Sequence, residues 1–190
     1  VQTWPADQLP DFAGGADDLV IYHFSISCPR ALEILKRCKG FRVVKYHNVT
    51  PSEFFRDYCS ELEAACEGGR AELPAIVDLG CELYLGASTY NIDELRALGV
   101  PKDRSGVLAP FHRVEEMVEA EADLELLRAL SDGARNFLMV GRLAPNKAYL
   151  DLIDAFSACA RMLDEPARLI LVGKADARLS RYNEAVHERI

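Results

Sequence analysis

The 190-residue sequence has no apolar run near the ~20 residues that a membrane-spanning helix needs. Its six cysteines form no CxxC pair and show no spacing typical of zinc ligands, so we expect free, mostly buried thiols in a reducing compartment. Basic residues are outnumbered, 22 against 30 acidic ones, and the net charge of −8 argues against nucleic acid as the main partner. The N-terminus shows no basic-then-apolar signal pattern. Together these absences predict a cytoplasmic protein.

The residues that are present predict an α/β fold. Hydrophobic residues make up 49% of the chain, enough for a buried core, and short apolar runs alternate with helical patterns. Strands are predicted at 19–24, 41–46, 81–85, 106–108, 136–140 and 168–172. Helices are predicted at 30–38, from 51 to a break at Gly68-Gly69, from 72, and at 92–98, 114–130, 147–163 and from 177. Strands separated by helical crossovers predict parallel sheets with flanking helices.

The chain is predicted to contain parts of two domains. The opening stretch to Gly15, with Pro5, Pro10 and Gly14, is typical of a loop or linker. The best boundary is Ser131-Asp132-Gly133, which gives a first domain of residues 1–132 and a second of 133–190. Two strands and two helices are too few for a whole domain, so we expect the natural chain to continue past Ile190.

The segment Gly141–Lys147 has the layout of a phosphate site. It follows an apolar strand and precedes an amphipathic helix, where free N–H groups point at bound anions. A lysine in the first turn of a helix opposes the macrodipole, so Lys147 suggests a bound anion, and Arg142 adds a two-pronged donor for phosphate oxygens. A solvated arginine and a lysine on an ordinary crossover helix remain an equal alternative from spacing alone.

Several stretches in order carry a resemblance to a known family. They are Asp18–Ser25, Val43–Pro51, Ala87–Asn91 with Glu94-Leu95, Val107–Phe111, Phe137–Lys147 with Asp154–Phe156, and Arg168–Gly173. This set resembles the retaining glycosyltransferases of family 4, in particular the bacterial mannosyltransferase-like branch. The resemblance implies the GT-B fold of two Rossmann-like domains, with the acceptor-side domain first and the donor nucleotide-sugar domain second.

The resemblance also implies site residues. Arg142 and Lys147 are similar to the pair that binds the donor diphosphate, and Gly141 would let the backbone approach the nucleotide sugar. His47, just past the second strand, resembles the active-site histidine and is the candidate catalytic residue, although a structural histidine remains open. Further candidates for polar contacts in the cleft are His23, Tyr46, Asn48, Ser88 and Asn91. Helix capping is the alternative for Ser88 and Asn91.

The implied reaction is transfer of a hexose, mannose in the resemblance, from GDP-mannose or another nucleotide sugar to a glycan or lipid-linked acceptor. No metal or other cofactor is expected, and the intact enzyme is expected to contact the inner face of the membrane peripherally. The chain departs from the family in lacking the Gly-rich loop after the first N-terminal strand and the E-x7-E glutamates. Two alternatives therefore stay open: a non-catalytic binding module for a nucleotide or sugar phosphate, and an epimerase of nucleotide sugars.

Overall fold

The computed structural model describes Thr3, residues 5–12 and residues 15–190. Its six strands are β1 Leu19–Phe24, β2 Phe41–Tyr46, β3 Leu83–Gly86, β4 Ser105–Val107, β5 Arg135–Val140 and β6 Ala167–Val172. The α-helices in the described residues are α1 Leu9–Phe12, α2 Pro29–Arg37, α3 Ser60–Asp78, α4 Thr89–Ala97, α5 Val114–Glu119, α6 Leu124–Leu130, α7 Tyr149–Ala160 and α8 Ser180–Arg189. No helix in these ranges has the length and apolar character to span a membrane.

The chain forms two compact units. One contains the described residues of Val1–Glu53 together with Glu61–Phe111, and the other contains Phe54–Ser60 together with His112–Ile190. Helices α5 and α6 thus group with the second unit, whereas the sequence assigns them to the first domain. The assignment of the units to an acceptor side and a donor side stays a prediction.

The first unit is built on a parallel sheet in the order β1-β2-β3-β4. The run Val43–Tyr46 in β2 is buried throughout, as expected for a strand covered on both faces. Helix α2 begins with Pro29 in its first turn, where proline loses no helical hydrogen bond, and it buries Leu32, Ile34 and Leu35. Because the strands are parallel, their carboxyl ends meet at the same edge of the sheet.

The second unit is built on the parallel pair β5-β6. Phe137 of β5 packs edge-on against Phe156 of α7, with ring centroids 5.5 Å apart. Helix α8 buries Tyr182 and Val186, and Tyr182 contacts Tyr58 at a centroid distance of 5.0 Å. The parallel sheets and flanking helices confirm the fold class predicted from the sequence.

Outside the predicted phosphate loop, three sequence predictions of local structure are wrong. The opening is not loop throughout, because Ala6–Gln8 forms a 3₁₀ turn and α1 follows; Gly14 lies outside the described residues. Helix α3 runs through Gly68-Gly69 without a break and starts only at Ser60, and a side chain at Gly69 would come within 2.9 Å of the Ser27 backbone nitrogen. These glycines thus allow close packing.

The third error is the single helix predicted for 114–130. The chain instead forms α5 and α6, and Asp123 caps α6 by accepting hydrogen bonds from the backbone N–H groups of Glu125 and Leu126, both at 3.0 Å. An aspartate in a capping position starts a new helix because it satisfies N–H groups that have no helical partner.

All six cysteines are free, but only Cys38, Cys66 and Cys81 are buried.

Candidate functional site

Two of the predicted residues, His23 and His47, hydrogen-bond to each other. His23 lies near the carboxyl end of β1, and His47 directly follows β2, with its backbone N–H donating to the Phe24 carbonyl at 2.9 Å. The Nδ1 of His23 lies 2.8 Å from the Nε2 of His47. The ring centroids are 5.0 Å apart and the ring planes are inclined by only 19°, so the two rings lie edge to edge and nearly coplanar. The parallel register of the two strands therefore brings the two imidazoles together.

A cavity of about 400 Å³ lies beside this histidine pair, within the first unit. Its other lining residues are one lysine and six apolar residues: Lys45, Ile21, Leu85, Leu108, Ala109, Pro110 and Phe111. Lys45 faces the same side of the sheet as His23, its register partner on β1. The cavity thus combines nitrogen bases with apolar walls, as many small-molecule sites do.

Lys45 was missed by the sequence reasoning. Its side chain is only 4% exposed, and Nζ donates to the carbonyl of Gly86 at 3.1 Å and also to the carbonyl of Leu108. Burial lowers the pKa of Lys45 because desolvation disfavours the ammonium form. The available signal was a lysine directly after two valines in a predicted strand, two residues before His47.

The electrostatic surroundings favour a neutral His47. Burial first, and then the neighbouring charges of His23 and Lys45, lower the pKa of His47 below its ordinary value. Since that ordinary value is about 6.5, the imidazole is uncharged at neutral pH. A neutral imidazole both donates and accepts one hydrogen bond, which suits it to orient a sugar hydroxyl or to move a proton.

Tyr46 and Asn48 serve the local structure of the strand end. The buried hydroxyl of Tyr46 donates to Glu94 Oε2 at 2.5 Å, and Glu94 also pairs with Arg70 at 2.9 Å. Asn48 adopts a left-handed backbone with φ of 73°, and its side-chain oxygen accepts the Val49 N–H at 2.9 Å. Asparagine tolerates this region better than most residues, so Asn48 shapes the turn that follows β2.

Ser88 and Asn91 lie at the start of α4 and contact each other. Ser88 is the N-cap, accepting the backbone N–H of Asn91 at 3.4 Å, and its hydroxyl donates to Asn91 Oδ1 at 2.9 Å. This is the capping arrangement that the sequence left open as the alternative. Their predicted role as substrate contacts stays a prediction.

The predicted phosphate loop follows β5. Gly141 continues the sheet by donating its N–H to the Val172 carbonyl at 2.9 Å, and its own carbonyl accepts the Tyr149 hydroxyl at 2.5 Å. Arg142 and Lys147 are both exposed on the loop. Their side chains are therefore accessible to an anion on the surface of the second unit.

The predicted place of Lys147 in the first turn of α7 is wrong. Pro145–Lys147 forms a 3₁₀ turn, Ala148 follows in the left-handed region with φ of 53°, and α7 begins at Tyr149. The first turn of α7 carries the acidic Asp151 instead, as the macrodipole favours. The helix dipole therefore gives no reason to expect an anion at Lys147. What still favours an anion is the exposure and the positive charge of the Arg142 and Lys147 side chains.

A tyrosine hydroxyl contacts the N-terminus of α7. Ala148 provides no side-chain cap, and the N–H of Tyr149 donates to the hydroxyl oxygen of Tyr182 at 3.0 Å. The expectation that helix N–H groups would bind the diphosphate is thus weakened, because a protein oxygen already satisfies the first of them. Tyr149 and Tyr182 are further residues that the sequence reasoning missed, since the hydroxyls of two aromatic core residues carry no pattern.

An acidic side chain lies near Arg142. Asp176 hydrogen-bonds Arg178 at 2.7 Å, and Arg178, with a smaller contribution from Arg142, lowers the pKa of Asp176 to about 2. The carboxylate is therefore ionised at neutral pH and partly offsets the positive charge of Arg142. Within the described residues, no three His, Cys, Asp or Glu side chains gather as a metal site. Metal independence stays a prediction.

Gly173 is the glycine of this region with a clear steric requirement. A Cβ at Gly173 would lie 1.8 Å from the carbonyl oxygen of Gly141, whereas a Cβ at Gly141 would make only ordinary contacts, the nearest at 3.5 Å to Met139. The close approach of the two strand ends thus depends on Gly173. The predicted approach of a nucleotide sugar to Gly141 stays a prediction.

Comparison with solved structures identifies a similar fold. Two crystal structures of HepE from Anabaena, one in complex with UDP and glucose and one in complex with UDP-glucose, match with TM-scores of 0.63 and 0.61. Each match has 17% sequence identity and covers 97% of this chain and 47% of HepE, so the chain spans about half the length of the structures it matches. At this level of identity the matches show a similarity of fold alone. No family model and no curated protein matches the chain.

Proposed function

We propose that the protein is a glycosyltransferase that transfers a hexose from a nucleotide-diphospho-sugar to a glycan or lipid-linked acceptor, with retention at the anomeric carbon. One observation carries the proposal. Arg142 and Lys147 are exposed on the loop after β5, in a fold shared with a protein whose structures hold UDP and glucose in one case and UDP-glucose in the other. Two cations on one short loop match the charge of a diphosphate.

Arg142 and Lys147 act on the leaving group. When the glycosidic bond breaks, negative charge develops on the nucleoside diphosphate, and fixed cations stabilise that charge more in the transition state than in the ground state. Arg142 binds phosphate oxygens through its planar fork, and Lys147 acts as a point charge. The reaction needs no metal in this proposal because these side chains supply the positive charge.

His47 acts on the sugar or the acceptor. Its neutral imidazole can accept a hydrogen bond from a hydroxyl and polarise it, within the 400 Å³ cavity that it shares with His23 and Lys45. The apolar part of the cavity wall fits the face of a sugar ring or the start of a lipid chain. No side chain is assigned as a covalent nucleophile.

The donor is proposed to be GDP-mannose, on the strength of the sequence resemblance. The structural neighbour instead holds UDP-glucose, so glucose from UDP-glucose is the second candidate donor. Both donors share the diphosphate, which is the group that Arg142 and Lys147 contact in this proposal.

The diphosphate assignment is tested by calorimetric titration of the intact protein with UDP, GDP, UDP-glucose and GDP-mannose, with uridine and guanosine as phosphate-free controls. Replacing Arg142 or Lys147 with alanine removes a charge-assisted contact worth about 1.5–3 kcal/mol, so each variant is expected to bind at least about tenfold more weakly. Arg161→Ala, at the opposite end of α7, is the matched control and should bind as the wild type does. If Arg142→Ala and Lys147→Ala bind nucleotide with unchanged affinity, the diphosphate assignment is wrong.

A further inference from the structure

The hydrogen bond between His23 and His47 joins two specific nitrogens, and this restricts the protons that the pair can carry. A neutral imidazole has one N–H and one acceptor nitrogen. The 2.8 Å contact between His23 Nδ1 and His47 Nε2 therefore holds one proton, donated by one ring and accepted by the other. The nearly coplanar, edge-to-edge placement of the rings, with centroids 5.0 Å apart, fixes their relative orientation as well as the distance.

We propose that His23 is the positioning residue of His47: it engages Nε2 of His47 and leaves Nδ1 as the ring nitrogen that meets the substrate. The proposal rests on the proposed function, in which His47 contacts the sugar or the acceptor. It gives His23 a role through His47 and requires no contact between His23 and the substrate. Positioning of this kind matters because small displacements of a reacting group reduce the rate strongly.

The groups around the pair favour a shared proton over two charged rings. Among the residues that line the cavity, Lys45 is the ionisable one besides the two histidines, and its ammonium is held by the carbonyls of Gly86 and Leu108. Burial, His23 and Lys45 together lower the pKa of His47, so a second proton is disfavoured at neutral pH.

The test uses variants of His23 that differ in where they place a polar atom. His23→Asn puts its amide close to the position of Nδ1, which is the atom that bonds His47. His23→Gln puts the same amide near the position of Nε2, and His23→Phe keeps an aromatic ring but has no hydrogen-bonding atom. All three remove the imidazole, so differences between the variants report where the polar atom lies. Because His23 is exposed, none of the substitutions opens a cavity in the core.

The first readout is ¹⁵N NMR of the His47 ring in the intact protein without substrate. The wild type and His23→Asn should show separate shifts for a protonated and an unprotonated nitrogen, as a single tautomer gives. His23→Gln and His23→Phe should show averaged shifts, because Nε2 of His47 has lost its partner. Equal ¹⁵N shifts in His23→Asn and His23→Gln would overturn the positioning role. This readout does not depend on transfer activity, so it stands even if the proposed function fails.

The second readout is sugar transfer by the same variants. His23→Asn should keep kcat within a few-fold of the wild type, whereas His23→Gln should lower kcat by about ten- to a hundredfold with little change in KM. A merely structural role of His23 predicts the same loss in both variants, and that result would contradict the proposal. A wild-type protein without any transfer activity would count against the proposed function and leave the NMR result to decide on the pair.

The assignment of Nδ1 has its own pair of variants. His47→Asn keeps a polar atom near the position of Nδ1, and His47→Gln keeps one near Nε2. Transfer by His47→Asn should exceed transfer by His47→Gln. Equal or higher activity of His47→Gln would show that Nδ1 is not the nitrogen that meets the substrate.

Discussion

The hydroxyl of Tyr149 donates to the carbonyl oxygen of Gly141 at 2.5 Å, so the first residue of α7 is tied to the start of the loop that carries Arg142. The backbone N–H of Tyr149 in turn donates to the hydroxyl of Tyr182 at 3.0 Å. Tyr149 is fully buried and Tyr182 nearly so. Two buried hydroxyls thus connect the end of β5, the loop and helix α8.

Removing these hydroxyls should destabilise the protein to different extents. Tyr182→Phe leaves the buried N–H of Tyr149 without a partner, which costs about 1–3 kcal/mol, whereas Tyr149→Phe leaves only a half-buried carbonyl and should cost about 1 kcal/mol. Urea unfolding gives both values, with the exposed Tyr90→Phe as control. A smaller loss in Tyr182→Phe than in Tyr149→Phe would contradict this account of the cap.

The two glycines at the strand ends should respond differently to alanine. Gly173→Ala forces a methyl group to within 1.8 Å of the Gly141 carbonyl oxygen, so the backbone must shift at a cost of about 1–3 kcal/mol or more. Gly141→Ala meets no atom closer than 3.5 Å and should unfold at nearly the wild-type denaturant concentration. Nucleotide titration of the stable Gly141→Ala variant then measures whether the ligand approaches this backbone. Equal stability of the two variants would contradict the close approach.

Acid should weaken the first unit through His47. Its pKa is lowered in the folded state by burial, His23 and Lys45, so the unfolded chain binds more protons as the pH falls below the ordinary value of about 6.5. The free energy of unfolding should therefore decrease as the pH falls below about 6.5. The slope of that free energy against pH measures the protons taken up on unfolding, and His47→Gln should lower this number by less than one. The exposed His112→Gln is the control. An unchanged slope in His47→Gln would show that the histidine pair is not proton-linked to folding.

Asp176 should stabilise the second unit only above its pKa. The hydrogen bond from Arg178 holds the pKa of Asp176 at about 2, below the ordinary ~3.9, so the contribution is complete above about pH 4 and is lost as the pH falls toward 2. Asp176 also accepts the backbone N–H of Arg178 as a cap, which asparagine can still do, so Asp176→Asn loses only the charge-assisted bond from the Arg178 side chain and should cost up to about 1 kcal/mol at pH 7. The exposed Asp164→Asn serves as control in the same unfolding series. A stability difference between Asp176→Asn and wild type that persists unchanged at pH 2 would contradict the linkage.

The strands could be predicted well from the sequence because a short apolar run between turn residues is typical of a buried strand. Strand β2 was predicted at its observed bounds, and the ends of β1 and β2 correctly located His23 and His47. The break at Gly68-Gly69 was predicted wrongly because glycine signals a turn locally, while its reason here is contact with the Ser27 backbone, 42 residues before Gly69 along the chain. Only the folded chain reveals such a contact.

The sequence predicted the candidate site only in part, because some of its features depend on contacts and backbone conformations that leave no pattern in the sequence. The predicted helix start at Lys147 was two residues too early, because Ala148 adopts a left-handed backbone that non-glycine residues rarely take and that no residue pattern indicates. The bond between His23 and His47 follows from the parallel register of two strands, and the sequence contains no local signal of register. The sequence did not reveal Lys45 as a site residue because its ammonium group donates to backbone carbonyls, which carry no sequence information.

The central claim is that the protein transfers a sugar from a nucleotide donor, and NMR of the anomeric signals during turnover tests it most directly. The intact protein is incubated with GDP-mannose or UDP-glucose and a glycan or lipid-linked acceptor fraction, and release of the nucleoside diphosphate is followed at the same time. The account predicts release of the diphosphate with the donor's anomeric configuration retained in the product, a strong loss in Arg142→Ala and a reduced rate in His47→Ala. A protein that binds the donor but leaves it unchanged would be a binding module, and that result would contradict the claim.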